Sequence, residues 1–436
     1  MPPWLTVLTA MLATTWCVWQ YIVFSKASIL SDGYSYFNAW ESIKGGHTDP
    51  LRTPTYAIFA GILKEAFGKD TALKIIPAIH WALYLLSMQL VWQIDRHLGI
   101  RKGLNIFVIL LLMLVPGFWC FNHITMAETF STCGMILLIW LSVRFSDTAR
   151  RAYLVSSGAI LILLIFTKPV FIILIPIMAV FWWATARGRR ERQISVAMVA
   201  TTLGLVATYI YLVNHTHTVA SMTMATSYNK YYCLRADGLI IPDEIKDAEV
   251  RERFRPMYDS IPRGWLKTQP YWREMYCFNW PDLEMMNRTA ICNHPGEAIS
   301  GAARRFGVSL AKSQFYSLDE DLGSSAGYDR RYTGWNGMTD NGPGGFIYPL
   351  HNILWFPIWM GWGILLAHTA FWVRRWITSR RMPAIPFLIA ATVFGSYMTV
   401  IVGAQDSWGR LMSPVNFLLL IMAADMTNKI TTEIQS

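Results

Sequence analysis

Charge is scarce in this chain of 436 residues: Asp, Glu, Lys and Arg make up 15% of it, against 53% hydrophobic residues. Disordered segments and simple soluble domains carry more charge and less apolar bulk, so the balance excludes both. Cysteine is scarce as well. Six residues are too few for a disulfide scaffold, and no Cys-x-x-Cys or Cys/His cluster with zinc spacing occurs, which argues against structural zinc. The chain also lacks an internal repeat of about 20 to 50 residues, the signature of solenoids.

What is abundant is apolar sequence in runs. A helix needs about 20 residues to cross a bilayer. About ten stretches approach that length, near Trp4 to Phe24, Leu73 to Ile94, Ile106 to Cys120, Phe130 to Val143, Tyr153 to Phe166, Val170 to Ala184, Ile194 to Val213, Ile347 to Trp372, Pro383 to Val402 and Leu411 to Ala424. The expected fold is an all-α polytopic membrane protein. The first stretch has no basic segment before it and no small-residue cleavage site, so it reads as a retained anchor.

A formal charge of +10 would suggest nucleic acid as partner if the protein were soluble. The distribution points elsewhere. Five segments (95–104, 144–151, 186–193, 373–382 and 425–436) hold 15 Lys or Arg against 5 acidic residues, and the rest of the chain balances. Basic residues accumulate in cytoplasmic loops, so the excess records topology and no nucleic-acid partner is expected. Both termini then lie in the cytoplasm of a multi-pass inner (plasma) membrane protein, with two large segments on the periplasmic or extracytoplasmic side. The chain divides into a transmembrane module over 1–213, which includes an outer loop over 25–72, a small, mainly helical outer domain over 214–346, and C-terminal membrane helices over 347–436.

The first outer loop carries two amphipathic helices. One follows Ser31-Asp32, runs from Gly33 to Ile43 and stops at Gly45-Gly46. The second runs from Pro54 to Phe67, with Pro at its start, Tyr56, Phe59, Leu63 and Phe67 at helical spacing and Gly68 just past its end. In the large loop a helix is expected from Asp243 to Tyr258. Tyr231, Tyr232, Trp265, Tyr271, Trp272, Tyr276 and Trp280 form a domain core or stack on sugar rings. Cys233, Cys277 and Cys292 would face an oxidising compartment, where one disulfide is expected.

Asp32 is the carboxylate best placed to take a proton from an acceptor hydroxyl at the membrane surface; the structural alternative is an N-cap for the helix that follows. Arg52 opens the run Arg52-Thr53-Pro54-Thr55-Tyr56-Ala57-Ile58-Phe59; Glu128 and His123 lie in or beside Thr125-Met126-Ala127-Glu128-Thr129; Lys168 lies in Phe166-Thr167-Lys168-Pro169; and Arg410 lies in Gly409-Arg410-Leu411-Met412-Ser413-Pro414. Each has a structural alternative. Thr125-x-x-Glu128 is a capping box, Lys168 can snorkel from a helix end, Arg410 can pair with Asp406, and Arg52 can join the two surface helices through Glu41 or Asp49.

An early Asp followed by an Arg-Thr-Pro-x-Tyr-x-x-Phe run, together with the three later motifs, resembles the GT-C superfamily of polyprenyl-phosphate-sugar glycosyltransferases. Within it, the likeness is to the bacterial branch related to protein O-mannosyltransferases and aminoarabinose transferases. It covers about the first 185 residues and the final span, and not the large outer loop. The resemblance implies a GT-C-like bundle and an inverting transfer on the outer face, from a polyprenyl-phosphate-linked sugar to a hydroxyl of a glycolipid, cell-envelope glycan or protein. Asp32 matches the general base. A lipid phosphate leaves as a stable anion and needs positive charge more than a proton donor, unlike the alkoxide released by glycoside hydrolases. Lys168, Arg410 and Arg52 are therefore the expected donor-phosphate ligands, with Glu128 and His123 assisting the acceptor or a divalent metal ion. No ligand spacing supports that metal, and no resident cofactor is expected. Two other classes stay open: an O-antigen polymerase or ligase using a diphosphate-linked glycan, which does not need the Asp32 helix, and a lipid-linked sugar flippase, whose usual two-fold symmetry of broken helices is absent here.

Overall fold

The computed structural model describes residues 3–23, 27, 31–49, 52–216, 226–260, 277–311, 356–403 and 408–435. Among these residues the chain is built from helices, without a β-sheet. In chain order they are α1 (Pro3–Val23), α2 (Ser31–Lys44), α3 (Pro54–Phe67), α4 (Lys69–His97), α5 (Lys102–Leu114), α6 (Pro116–Trp119), α7 (Glu128–Thr148), α8 (Arg151–Ile165), α9 (Leu174–Thr185), α10 (Arg189–Thr216), α11 (Thr226–Ala236), α12 (Ala248–Ser260), α13 (Trp280–Asn293), α14 (Pro295–Leu310), α15 (Ile358–Ser379), α16 (Ala384–Gly403) and α17 (Trp408–Gln435).

Among the described residues each of the ten apolar stretches overlaps a helix. Four are long and apolar enough to cross a membrane unaided: Trp4–Ile22, Lys69–His97, Glu128–Thr148 and Arg189–Thr216. Lys102–Leu114 and Gly117–His123 make a fifth if taken as one span bent by 78°, whereas α8, the Pro169–Thr185 segment and α16 are apolar but shorter. The chain is a multi-pass helical membrane protein.

One break falls inside an expected span and another where one was expected, after Phe166; both have proline as their cause. Pro116 drives Val115 into an extended conformation (φ −89°, ψ 110°), because the residue before a proline is disfavoured in the helical region. The stretch from Ile106 to Cys120 is therefore a helix followed by a sharp bend. Pro169 likewise starts a short 3₁₀ turn, Pro169–Ile173, before α9 begins. The span expected from Ile347 starts at Ile358 instead, with Pro357 at its N-cap, and continues through Arg374 and Arg375 to Ser379. Long arginine stems cover the apolar end of such a helix while their charged heads reach water.

One continuous core runs through the bundle, with Leu138, Ile139, Leu154, Leu161, Met178, Trp182 and Ile421 fully or almost fully buried. α7 runs through its middle. At one end of α17, Asp425 accepts hydrogen bonds from Trp372 Nε1 (2.8 Å) and lies 3.2 Å from His368 Nε2, tying α15 to the last helix. α1 and α10 stand at the outside and expose Val7, Met11, Ile22, Val196 and Leu203, the apolar face a bilayer covers.

The described helices between residues 226 and 293 have a core of their own, with Tyr231, Phe254, Phe278, Leu283 and Met286. Tyr231 and Tyr232 are therefore structural; Trp265, Tyr271, Trp272 and Tyr276 lie outside the described residues. Cys233 is buried, Cys277 and Cys292 are exposed, and all three are free, so the expected disulfide is not formed. Burial raises the Cys233 thiol above its usual range.

Candidate active site

The segment between α1 and α4 forms the two expected helices, and they run side by side in the same direction. Tyr36 packs edge-on against Tyr56 (4.8 Å between ring centres), Trp40 packs over Gly61, Glu41 meets Lys64 at 2.9 Å, and Lys44 meets Glu65 at 2.6 Å. The register is steady along both helices. A Cβ at position 61 would lie 2.0 Å from Trp40 Cγ, so only glycine permits this approach. Tyr36, Phe37, Ala39, Tyr56, Ala57 and Ala60 share one buried cluster with Leu73 and Ile76 of α4 and with Ala127.

Because α2 and α3 are parallel, their starts lie at the same end. The start of α3 is strapped to the Phe166–Lys168 turn: Thr55 N donates to Phe166 O (3.1 Å) and Thr53 Oγ1 donates to Thr167 O (2.9 Å). Arg52 closes the gap to α2. Its backbone N–H donates to Asp49 Oδ1 (2.7 Å), its Nε donates to Ser35 Oγ (2.5 Å), and its guanidinium lies over the Tyr36 ring at 5.0 Å. Of the two acids expected to partner Arg52, Asp49 accepts from its backbone N–H, the guanidinium reaches α2 through Ser35, and Glu41 turns instead to Lys44 and Lys64.

Lys168 is buried at 8% exposure, and its Nζ donates to Glu128 Oε1 at 2.9 Å in an ion pair with both side chains nearly closed to solvent. This departs from the expected capping box. α7 begins at Glu128 after Ala127, with no side-chain cap. A buried ammonium needs a counter-charge more than a helix end needs a cap, so the carboxylate faces Lys168. His123 is buried one turn away in sequence, beside Trp81 (5.3 Å) and Trp119 (6.0 Å).

Asp32 is the second residue of α2, inside the helix and not at its N-cap, about one turn before Ser35. Arg410 is the third residue of α17. Their side chains, like Asp406, lie outside the described residues. Among the described residues no cluster of three or more His, Cys, Asp or Glu side chains is arranged to hold a metal ion.

Several polar groups of this region carried no signal in the sequence. Ser35, Thr53 and Thr167 form the strap, and Tyr56 Oη lies 3.3 Å from His80 Nε2 in the buried cluster. Burial holds the Tyr56 phenol well above its usual range, so it stays protonated. The one available hint was that Arg-Thr-Pro and Phe-Thr-Lys-Pro each place a threonine within two residues of a proline.

No protein-family model matches the chain, and no curated protein matches it in sequence. Solved structures do. The Archaeoglobus fulgidus oligosaccharyltransferase tethered with an acceptor peptide containing the NVT sequon is similar over 99% of this chain and 50% of that one, at 11% identity and a TM-score of 0.51. The same archaeal enzyme with an inhibitory peptide and a dolichol-phosphate covers 98% of this chain and 50% of its own, at 10% identity and a TM-score of 0.45. ArnT from Cupriavidus metallidurans bound to undecaprenyl phosphate is similar over 99% of this chain and 79% of its own, at 12% identity and a TM-score of 0.37. The first of these superpositions shows that the chain has a GT-C-like fold, and this chain spans half the length of that oligosaccharyltransferase.

Proposed function

We propose that the protein is an inverting glycosyltransferase of GT-C type that moves a sugar from a polyprenyl-phosphate-linked donor to an acceptor hydroxyl at the outer face of the membrane. The observation that carries this reading is the strap. It brings the start of the Asp32 helix, the Arg52 guanidinium and the Lys168–Glu128 pair to one end of a bundle that shares its fold with an oligosaccharyltransferase.

In the proposed reaction the acceptor oxygen attacks the anomeric carbon and the carbon–oxygen bond to phosphate breaks with inversion. Asp32 takes the acceptor proton, and polyprenyl phosphate leaves with the bonding electron pair. The leaving anion gains charge as the bond breaks, so cations held beforehand favour the transition state over the bound donor. Arg52, fixed by Ser35 and Tyr36, and Lys168, oriented by Glu128, are two such cations; Arg410 is the third. Glu128 and His123 stand on the acceptor side. The Lys and Arg excess in the five basic segments supports a site on the outer side.

The test is transfer from a labelled polyprenyl phosphate sugar, followed as release of polyprenyl phosphate. Asp32→Asn is expected to lower turnover by about two to four orders of magnitude while the protein stays folded and membrane-inserted. Near-normal turnover by that variant would remove the base assignment. Acceptance of diphosphate-linked oligosaccharides alone would put a polymerase or ligase in its place.

A further inference from the structure

A second concentration of positive charge lies away from the strap. α9 starts a few residues after Lys168 and carries the chain about 18 Å along the bundle before Ala186, so Arg187, Arg189 and Arg192 stand at the opposite end. These three arginines line a cavity of about 740 Å³ with Trp183, Val196 and Ala197. All six side chains are exposed. The cavity is therefore open to whatever surrounds the bundle.

Its walls have two chemistries. Arg187 is fixed at the rim, where its Nη2 donates to the carbonyls of Ser146 (3.0 Å) and Asp147 (2.9 Å). The Arg192 guanidinium lies over the Trp183 ring at 5.4 Å. The neighbouring acid, Glu191, gives one carboxylate oxygen to Arg151 (3.0 Å) and lays the other against Gly188 of the lining, so one negative charge stands beside the three arginines. On the membrane side the surface continues as Val180 (67% exposed) and Val196 (55% exposed), apolar positions on helices that a bilayer surrounds. A cationic recess joined to an apolar wall matches one kind of molecule. Its phosphate engages the arginine forks, its acyl chains lie along the valines, and the indole marks the interface between them.

We infer that this recess binds the headgroup of an anionic glycerophospholipid from the leaflet opposite the proposed active site. The cation–π contact and the carbonyl bonds hold two of the guanidinium groups in place before the lipid arrives, which distinguishes a built site from scattered basic residues that only set topology.

The experiment uses the full-length protein in detergent, with binding of phosphatidylglycerol, phosphatidylcholine and inorganic phosphate compared by native mass spectrometry. Phosphatidylglycerol is expected to be retained in preference to phosphatidylcholine, and millimolar inorganic phosphate is not expected to displace it. The R189Q/R192Q variant is expected to bind phosphatidylglycerol on the order of tenfold or more weakly. R189K/R192K, which keeps the charge but removes the guanidinium forks, is expected to bind with an affinity between those of the parent and R189Q/R192Q and so separates loss of charge from loss of fold. Equal retention of the two lipids, unchanged binding by R189Q/R192Q, or complete displacement by inorganic phosphate would each overturn the assignment.

Discussion

The two regions outside the membrane helices are held in different ways. The α2–α3 platform has almost no core of its own: its buried residues close against Leu73 and Ile76 of α4 and against Ala127, and its strap donates directly to the Phe166–Lys168 turn. The domain of α11 to α13 closes around its own residues, Tyr231, Phe254, Phe278 and Leu283, while α14 joins it to the bundle by packing Phe306 beside Trp362. Surface ion pairs such as Arg253–Asp282 and Arg255–Asp243 add to it. A platform that shares its core with the bundle has its position fixed by the bundle, as a set of catalytic groups requires; a domain with a separate core is free to vary without disturbing them. Changes in the platform should therefore damage stability and transfer together, and changes in the outer domain should not.

The largest effect is expected at the buried ion pair on which the strap closes. Glu128→Leu leaves Lys168 buried without that counter-charge and should cost about 3–5 kcal/mol in thermal unfolding. The paired change E128L/K168M removes both charges and should recover most of that stability. Turnover should stay low, because a donor-phosphate cation is gone. Full recovery of transfer by the pair would show that Lys168 is a structural residue only.

Next in size is the helix crossing. Gly61→Ala drives a methyl group into Trp40 and should cost about 1–3 kcal/mol, with transfer falling as the start of α2 shifts. Gly307→Ala in α14 meets no atom within 4 Å. It should raise stability by roughly 0.5–1 kcal/mol, the ordinary gain for alanine over glycine inside a helix, and leave transfer unchanged. Comparing the two substitutions by unfolding and turnover breaks the contrast directly if they behave alike. Thr53→Val, which deletes one hydrogen bond of the strap, should cost about 1 kcal/mol, and Thr53→Ser should restore it.

The sequence made α3 legible because its signals are local. Pro54 fits the first turn, where its missing N–H costs nothing, and Gly68 takes the positive φ of 75° that ends the helix. The membrane helices were legible for the same reason, since a bilayer requires apolar length in one unbroken stretch. The Glu128–Lys168 pair was not, because its partners are 40 residues apart and the nearby Thr125 offered a local explanation for the glutamate. Local rules assign Glu128 to a cap; only the packing of α7 against the turn after α8 shows that a buried ammonium claims it. Arg52 was half legible: Asp49 lies three residues away, whereas Ser35 and Tyr36 depend on the parallel register of two helices. Arg52 and Lys168, two of the three cations named for the donor phosphate, therefore came from motifs, while the contacts that orient them came from tertiary structure.

The smallest effect concerns the far end of the platform, where Lys44 joins Glu41 and Glu65. Hydrogen bonds from Lys64 and Lys44 hold the Glu41 carboxyl below its ordinary value of 4.5, and a hydrogen bond from Lys44 does the same for Glu65. Glu65 and Glu41 in turn hold the Lys44 ammonium above 10.5. A lowered acid contributes above its unfolded value and stops contributing as pH falls through the folded one; a raised base contributes below its unfolded value and is lost as pH rises through the folded one. The contact is thus complete between 4.5 and 10.5 and weakens on both sides. In the outer domain Glu244 is also held low, first by Asn293 and then by His294, so both regions should loosen in acid. The alkaline side separates them, because the ion pairs Arg253–Asp282 and Arg255–Asp243 are built on guanidinium groups and the platform contact on an ammonium. Hydrogen exchange, corrected for its intrinsic rate at each pH, should rise above pH 10.5 in residues 36–44 and 57–65 and stay flat in 248–258. All three side chains at the platform end are exposed, so the rise should be small and should shrink further in high salt. Equal rises in the two regions would mean that the platform's far end is fixed by the Trp40–Gly61 packing alone.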